Sequence, residues 1–266
     1  MGKAFQIIGG RVTNAGATIT ALTANTGDSF TVRSFPMESY AWLENIWAQE
    51  ATTGVVRVRS PRLHDAVQGI RLRVSASGRF LLPRPAEQRL YAQDVLTFEL
   101  SGGGAETDAA FIAVYYEDLP GVDARLATWD EIAPRIVNVA GVEQAITTGG
   151  TASDWGGSQA INADFDQFKR NVDYALLGYT SDIALGAIGV TGPDTGNLRV
   201  GGPGALNPEF SSEWFVHLSR LQGRGHIPII NGANCGATTF DVSHTATATA
   251  ANVTLILAEL AGPSGR

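Results

Sequence analysis

The segment Thr-Phe-Glu-Leu-Ser at residues 97–101 returns as Thr-Phe-Asp-Val-Ser at residues 239–243. Polar and apolar side chains alternate in both copies, which is the pattern of a half-buried β-strand. Each copy leads through a turn of small residues into an apolar run, at residues 111–116 in the first copy and 253–257 in the second. The same order in both halves predicts an internal duplication built from strands.

The match between the two halves extends towards their N-terminal sides. Residues 40–43 (Tyr-Ala-Trp-Leu) parallel residues 174–177 (Tyr-Ala-Leu-Leu), and residues 55–58 parallel residues 187–190. The intervals between these segments differ between the halves, so the loops differ in length while the strands keep their order. Two similar sandwiches, each burying alternate positions of its strands, explain this pattern.

The duplication divides the chain into three parts. We predict an N-terminal β-sandwich at residues 1–119, a connector at 120–139 and a C-terminal β-sandwich at 140–266. Thr128 opens a capping box in the connector, and Pro134 limits the helix there to about one turn. Two further segments allow a helix, residues 164–171 and residues 211–221, although the second also fits a strand.

Composition agrees with an all-β fold of two tandem antiparallel, jelly-roll-like sandwiches. The chain has 266 residues, 44% of them apolar, and 31 glycines that separate short apolar runs. Such spacing is typical of many short strands joined by turns. No segment has the ~18 consecutive apolar residues of a membrane span.

Arginine is concentrated in one window of an otherwise acidic chain. Residues 57–89 hold eight arginines and two acidic residues, whereas the net charge of the whole chain is −7. Arg57, Arg59, Arg71 and Arg73 alternate with apolar residues, as on half-exposed strands. One interpretation is a solvated face paired with nearby acidic residues. The other is a subunit interface, or a surface that meets nucleic acid.

The sequence contains no recognisable catalytic or cofactor motif. Residues 7–10 (Ile-Ile-Gly-Gly) resemble the mature N-terminus of chymotrypsin-like proteases, but the Gly-Asp-Ser-Gly-Gly run of that family is missing. The four histidines have no metal-ligand or catalytic spacing: His64, His217, His226 and His244. The single cysteine, Cys235, is expected to be a buried apolar residue. We therefore expect no enzyme and no cofactor.

A tandem pair of Gly-rich β-sandwiches without a catalytic motif resembles the double jelly-roll capsid proteins of viruses. The resemblance covers architecture only. It implies a virion structural protein of bacteriophage type, made in the host cytoplasm, that self-assembles into a homotrimer or a larger shell with other virion proteins.

The alternative function is a carbohydrate- or receptor-binding module. Trp155, in a Ser-Asp-Trp-Gly-Gly run that suggests a loop, is then the candidate ligand platform, with core packing as the other interpretation of this residue.

Overall fold

A computed structural model describes residues 2–13, 18–49, 54–63, 67–74, 79–82, 87–102, 107–165, 167–204 and 208–262. In its first half the strands are β1 (Ala4–Thr13), β2 (Thr20–Ala21), β3 (Thr23–Ala24), β4 (Ala41–Gln49), β5 (Gly54–Arg59), β6 (Ile70–Val74), β7 (Arg79–Leu81), β8 (Gln88–Leu90), β9 (Thr97–Ser101) and β10 (Thr107–Tyr116). In the second half they are β11 (Leu126–Ala127), β12 (Ile136–Thr147), β13 (Trp155–Ala160), β14 (Asp173–Ser181), β15 (Ala187–Thr191), β16 (Val200–Gly202), β17 (Ile227–Asn231), β18 (Thr239–Ser243) and β19 (Ala250–Leu260).

The strands form four antiparallel sheets, two in each half of the chain. Sheet A has the order β3-β1-β10-β4-β7, with β8 also paired to β4, and sheet B has the order β2-β9-β5-β6. Sheet C has the order β11-β17-β14-β19-β12, and sheet D has the order β13-β18-β15-β16. The prediction of an all-β fold built from two tandem sandwiches, A with B and C with D, is confirmed.

The two sandwiches share one strand order. Strands β1, β10, β4 and β8 of sheet A correspond to β12, β19, β14 and β17 of sheet C, and β2, β9, β5 and β6 of sheet B correspond to β13, β18, β15 and β16 of sheet D. Eight strands in two such sheets are the jelly-roll arrangement. The matching segments Thr97–Ser101 and Thr239–Ser243 are β9 and β18, which hold corresponding places. Duplication of the chain itself stays a prediction.

Two hydrophobic clusters fill the molecule, and sheet A lies between them. One face of sheet A packs against sheet B, with Ile46 and Phe98 in this first core. The opposite face carries Trp47 and Phe111, which belong to the same cluster as Phe240 and the rest of the second sandwich. Sheet A is therefore buried on both faces, and the second core continues into the first sandwich.

The helices are short and lie in the second half. Helix α1 (Trp129–Ile132) begins at a capping box between Thr128 and Glu131, as predicted. Helix α2 (Pro208–Ser211) and helix α3 (Trp214–Gln222) show that residues 211–221 are mainly helical.

Two other predictions concern residues 164–171 and the connector. The described residues of 164–171 form no helix; Phe165 and Phe168 pack their rings against each other, and Phe168 also packs on Tyr174. Strand β12 begins at Ile136, within the predicted connector 120–139.

Candidate functional site

The arginines of the predicted interface lie on the outer face of sheet B. Arg57 and Arg59 share one carboxylate, that of Glu99 on the neighbouring strand β9. The Nε atoms of Arg57 and Arg59 donate to Glu99 Oε2 at 2.6 and 2.9 Å. Their Nη2 atoms both donate to Glu99 Oε1 at 3.0 Å. One carboxylate thus fixes two planar guanidinium groups on the sheet.

This arrangement stabilises the ionised form of the Glu99 carboxylate. Burial alone opposes ionisation, but the hydrogen bonds from Arg57 and Arg59 outweigh it and lower the pKa of Glu99 below its usual value. The shared carboxylate is therefore ionised over the whole neutral pH range. This part of the arginine cluster fits the interpretation in which the arginines pair with a nearby acid of the same chain.

Arg71 and Arg73 extend the same face on strand β6. Arg71 lies directly opposite Arg57, and Arg73 lies opposite Val55. Both side chains are exposed, and neither has an ion pair within the described residues. Like charges opposite each other across two strands destabilise a sheet. We call Arg57, Arg59, Arg71 and Arg73, together with Glu99, the arginine face; its formal charge is +3, from four arginines and one glutamate.

Two other arginines of the 57–89 window, Arg62 and Arg89, contact an aromatic ring. The guanidinium carbons of Arg62 and Arg89 lie 5.7 and 5.2 Å from the centre of the Tyr91 ring. The side chain of Arg79 and the whole of Arg84 lie outside the described residues. Arg62 and Arg89 thus share the ring of Tyr91, whereas Arg57 and Arg59 share the carboxylate of Glu99.

A buried charged cluster joins the two sandwiches. Arg224 of the second sandwich donates from Nη1 to Glu44 Oε1 at 2.8 Å and from Nη2 to Glu87 Oε1 at 3.2 Å, both in the first. His226 Nε2 lies 2.6 Å from Glu44 Oε2. Glu44 and His226 are fully buried. Buried charges are tolerated in this way when they are paired and hydrogen-bonded.

Local backbone geometry on both sides creates this cluster. Helix α3 ends at Gln222, and Gly223 adopts a left-handed conformation, with φ of +62°, that turns the chain towards the first sandwich. On strand β4 the pairing register with β10 shifts beside Glu44. The side-chain alternation slips there, because Leu43 and Ile46 enter the first core. A β-bulge thus aims Glu44 at Arg224.

Trp155 belongs to this interface and is not an exposed platform. It begins strand β13 rather than lying on a loop, and it is 8% exposed. Its ring packs edge-on against Phe111, with centroids 5.5 Å apart, and Arg199 lies over its face at 4.4 Å. Its Nε1 donates to Asp28 Oδ2 at 2.6 Å. The prediction of a loop ligand platform is corrected: the ring serves core packing, because sheet A covers it.

Asp28 closes this second polar contact between the sandwiches. It accepts from Arg199 Nη1 at 2.8 Å and from the backbone N–H of Gly9 at 2.8 Å. Burial raises the pKa of Asp28 above its usual value, and the opposing effect of the Arg199 charge is smaller. Nearby, Asp154 accepts from the backbone N–H of Thr26 at 2.7 Å. The interface thus has an apolar centre with polar contacts on both sides.

These buried charges could hardly be predicted from the sequence. His226 is fully buried and hydrogen-bonded, whereas His64 lies outside the described residues. The signal that existed was Glu44-Asn45 inside an otherwise apolar strand pattern. Cys235 is buried as expected, and burial raises the pKa of its thiol to about 12.

One further cleft of the structure is lined by charged side chains. This cleft of about 510 Å³ is lined by Arg125 and Asp173, but these two side chains already form a paired hydrogen bond at 3.0 and 2.6 Å. Within the described ranges, no group of three His, Cys, Asp or Glu side chains is arranged to hold a metal ion. No helix in this part of the chain has the length and apolar character to cross a membrane.

Comparisons with known proteins give fold likenesses at a low level. No family model and no curated protein sequence matches the chain. The major capsid protein P2 from Bacteriophage PM2 is 8% identical over 100% of both chains, with a TM-score of 0.26. The PBSX exported protein XepA is 8% identical over 92% of this chain and 88% of its own, with a TM-score of 0.20. Likenesses this low carry no argument about function.

Proposed function

We propose that this protein is a non-enzymatic structural subunit of a virion, a capsid or capsid-associated protein that self-assembles through its β-sandwiches. The observation that supports it is the fusion of two sandwiches of equal strand order through one continuous buried interface. The second hydrophobic cluster runs from Phe111 on sheet A into the second sandwich. The ion pairs of Glu44 and Asp28 close the interface on either side.

A subunit of a closed shell must hold its contact surfaces at fixed angles, because small angular errors accumulate around the shell. Two sandwiches that share a core provide such a fixed pair of modules. Jelly rolls recur in viral capsids, although the same fold also serves lectins and other proteins. A trimer or larger assembly, location in the virion, bacteriophage origin and synthesis in the host cytoplasm are parts of this proposal.

The carbohydrate-binding alternative loses its main candidate residue, because the Trp155 ring is covered by the first sandwich. The other tryptophans are buried or half-buried: Trp42, Trp47, Trp129 and Trp214. No single observation favours this alternative over assembly.

Size measurement tests the proposal directly. Purified protein should sediment as trimers or larger species, with a fraction that rises with concentration, and electron microscopy should show particles of regular size. A protein that stays monomeric at millimolar concentration, in low and high salt, would overturn the assembly function.

A further inference from the structure

The largest part of the contact described between the two sandwiches pairs sheet A of the first with sheet D of the second, head to tail. His226, just before β17 of sheet C, adds a contact to Phe5 and Tyr115. The outer face of sheet A covers sheet D. The backbone N–H of Ile7 donates to Arg199 O at 2.9 Å, immediately before β16. Trp47 Nε1 donates to Gly186 O at 2.9 Å, immediately before β15. Trp155, at the start of β13, packs on sheet A through Phe111.

Sheet B holds the place in the first sandwich that sheet D holds in the second. The cross-strand row Glu99, Arg57 and Arg71 on sheet B corresponds to Asp241, Gly189 and Gly201 on sheet D. On sheet D, which sheet A covers, Gly189 holds the position that corresponds to Arg57. A Cβ at Gly189 would lie 2.4 Å from Arg199 Cγ. The uncovered sheet has arginines instead.

The arginine face is therefore the counterpart of a surface that is already an interface elsewhere in the same chain. Two of its four guanidinium groups, those of Arg57 and Arg59, bind the carboxylate of Glu99. Arg71 and Arg73 project from the sheet without ion pairs among the described residues. Val95, 60% exposed, precedes β9 and adds an apolar contribution. Arginine is enriched at protein interfaces, where its planar group pairs with carboxylates.

Sheet C is the counterpart of the covering sheet A, and its outer face is open along β12 and β19. Glu143 is exposed on this face and lies opposite Thr254. Val139 is 51% exposed and Ile256 is half-buried on the same face. Strands β12 and β19 contain no lysine or arginine. This β12 face, formed by Val139, Glu143, Thr254 and Ile256, is acidic and apolar where the arginine face is basic.

We propose that the arginine face of one copy binds the β12 face of a second copy, repeating between chains the contact that joins the two sandwiches within one chain. This inference rests on the proposed assembly function and names the two surfaces that carry it. Such a head-to-tail interface is heterologous, so copies close into a ring when the rotation between them allows it. Complementary charges set the register of the two faces.

The observations favour a protein partner over nucleic acid on this face. The outward positions of sheet B among the described residues carry no aromatic side chain on which a base could stack. The β12 face of a second copy supplies a further carboxylate, that of Glu143, and the apolar side chains of Val139 and Ile256.

A charge-swap experiment on the full chain tests the pairing. In sedimentation equilibrium, Arg71→Glu/Arg73→Glu and Glu143→Arg should each weaken self-association at least tenfold, and the triple variant should recover most of the loss. All three positions are exposed, so circular dichroism spectra should match that of the wild type and urea melts should show no loss of stability. Arg170→Glu, an exposed charge reversal outside both faces that changes the charge by as much as Glu143→Arg does, is the control and should assemble normally.

The outcomes separate this pairing from the assembly function. A monomeric wild type contradicts the proposed function itself. A wild type that assembles while the charge-reversed variants also assemble normally contradicts only the pairing, and so does a triple variant that fails to recover. Normal assembly of Arg71→Glu/Arg73→Glu together with lost, salt-sensitive binding of a single-stranded DNA oligonucleotide would assign the arginine face to nucleic acid and overturn the inference.

Discussion

Replacing Arg224 by Met removes the charge that joins the sandwiches while keeping the length of the side chain. The guanidinium carbon of Arg224 lies 5.2 and 5.3 Å from the ring centres of Trp42 and Tyr115, and the Met side chain can still fill this space. The ion pairs to Glu44 and Glu87, at 2.8 and 3.2 Å, are lost. Breaking a buried pair from one side leaves a buried charge uncompensated and costs about 3–5 kcal/mol.

Urea unfolding followed by tryptophan fluorescence measures this loss. Adding Glu44→Gln to Arg224→Met should recover part of it, because the uncompensated carboxylate is removed, and the double-mutant cycle then gives a coupling energy. Lys169→Met, which breaks the exposed contact between Lys169 and Glu259, is the control and should leave the free energy of unfolding unchanged. A cost for Arg224→Met below about 1 kcal/mol would refute the reasoning.

Three further predictions concern single residues. Phe98→Ala and Phe240→Ala, at corresponding buried positions, should each cost about 3–5 kcal/mol in denaturant melts; a cost below about 1 kcal/mol for either would exclude it from the core. Glu99→Gln should destabilise the protein most at neutral pH. Because the pKa of Glu99 is lowered, its contribution is complete above the usual value of 4.5 and is lost as the pH falls below it, so the difference between variant and wild type should shrink in acid; a constant difference would argue against the ion pairs. Cys235, with a pKa raised to about 12, should resist iodoacetamide until the protein unfolds, and rapid alkylation of the native protein would contradict its burial.

The sequence by itself determined the main strands, their repeated order in the two halves and the number of sandwiches. Alternation in Thr97–Ser101 and Thr239–Ser243 marked β9 and β18, because a period of two is a property of the strand alone. The capping box at Thr128 marked α1, since its hydrogen bonds join residues three apart. The position of four arginines on one face, Arg57 and Arg59 with Arg71 and Arg73, also followed in outline from this local periodicity.

Only the tertiary structure decided how the two sandwiches meet and which polar groups the contact buries. Trp155 lies in a Gly-rich run that suggests a loop, yet sheet A covers its ring through residues far away in the sequence. Glu44 pairs with Arg224, which lies 180 residues later in the chain. It does so at a β-bulge that no local pattern encodes. Burial and charge pairing of this kind depend on contacts between distant segments. The polar pair Glu44-Asn45 marks one position in the sequence, but no local pattern identifies its partner.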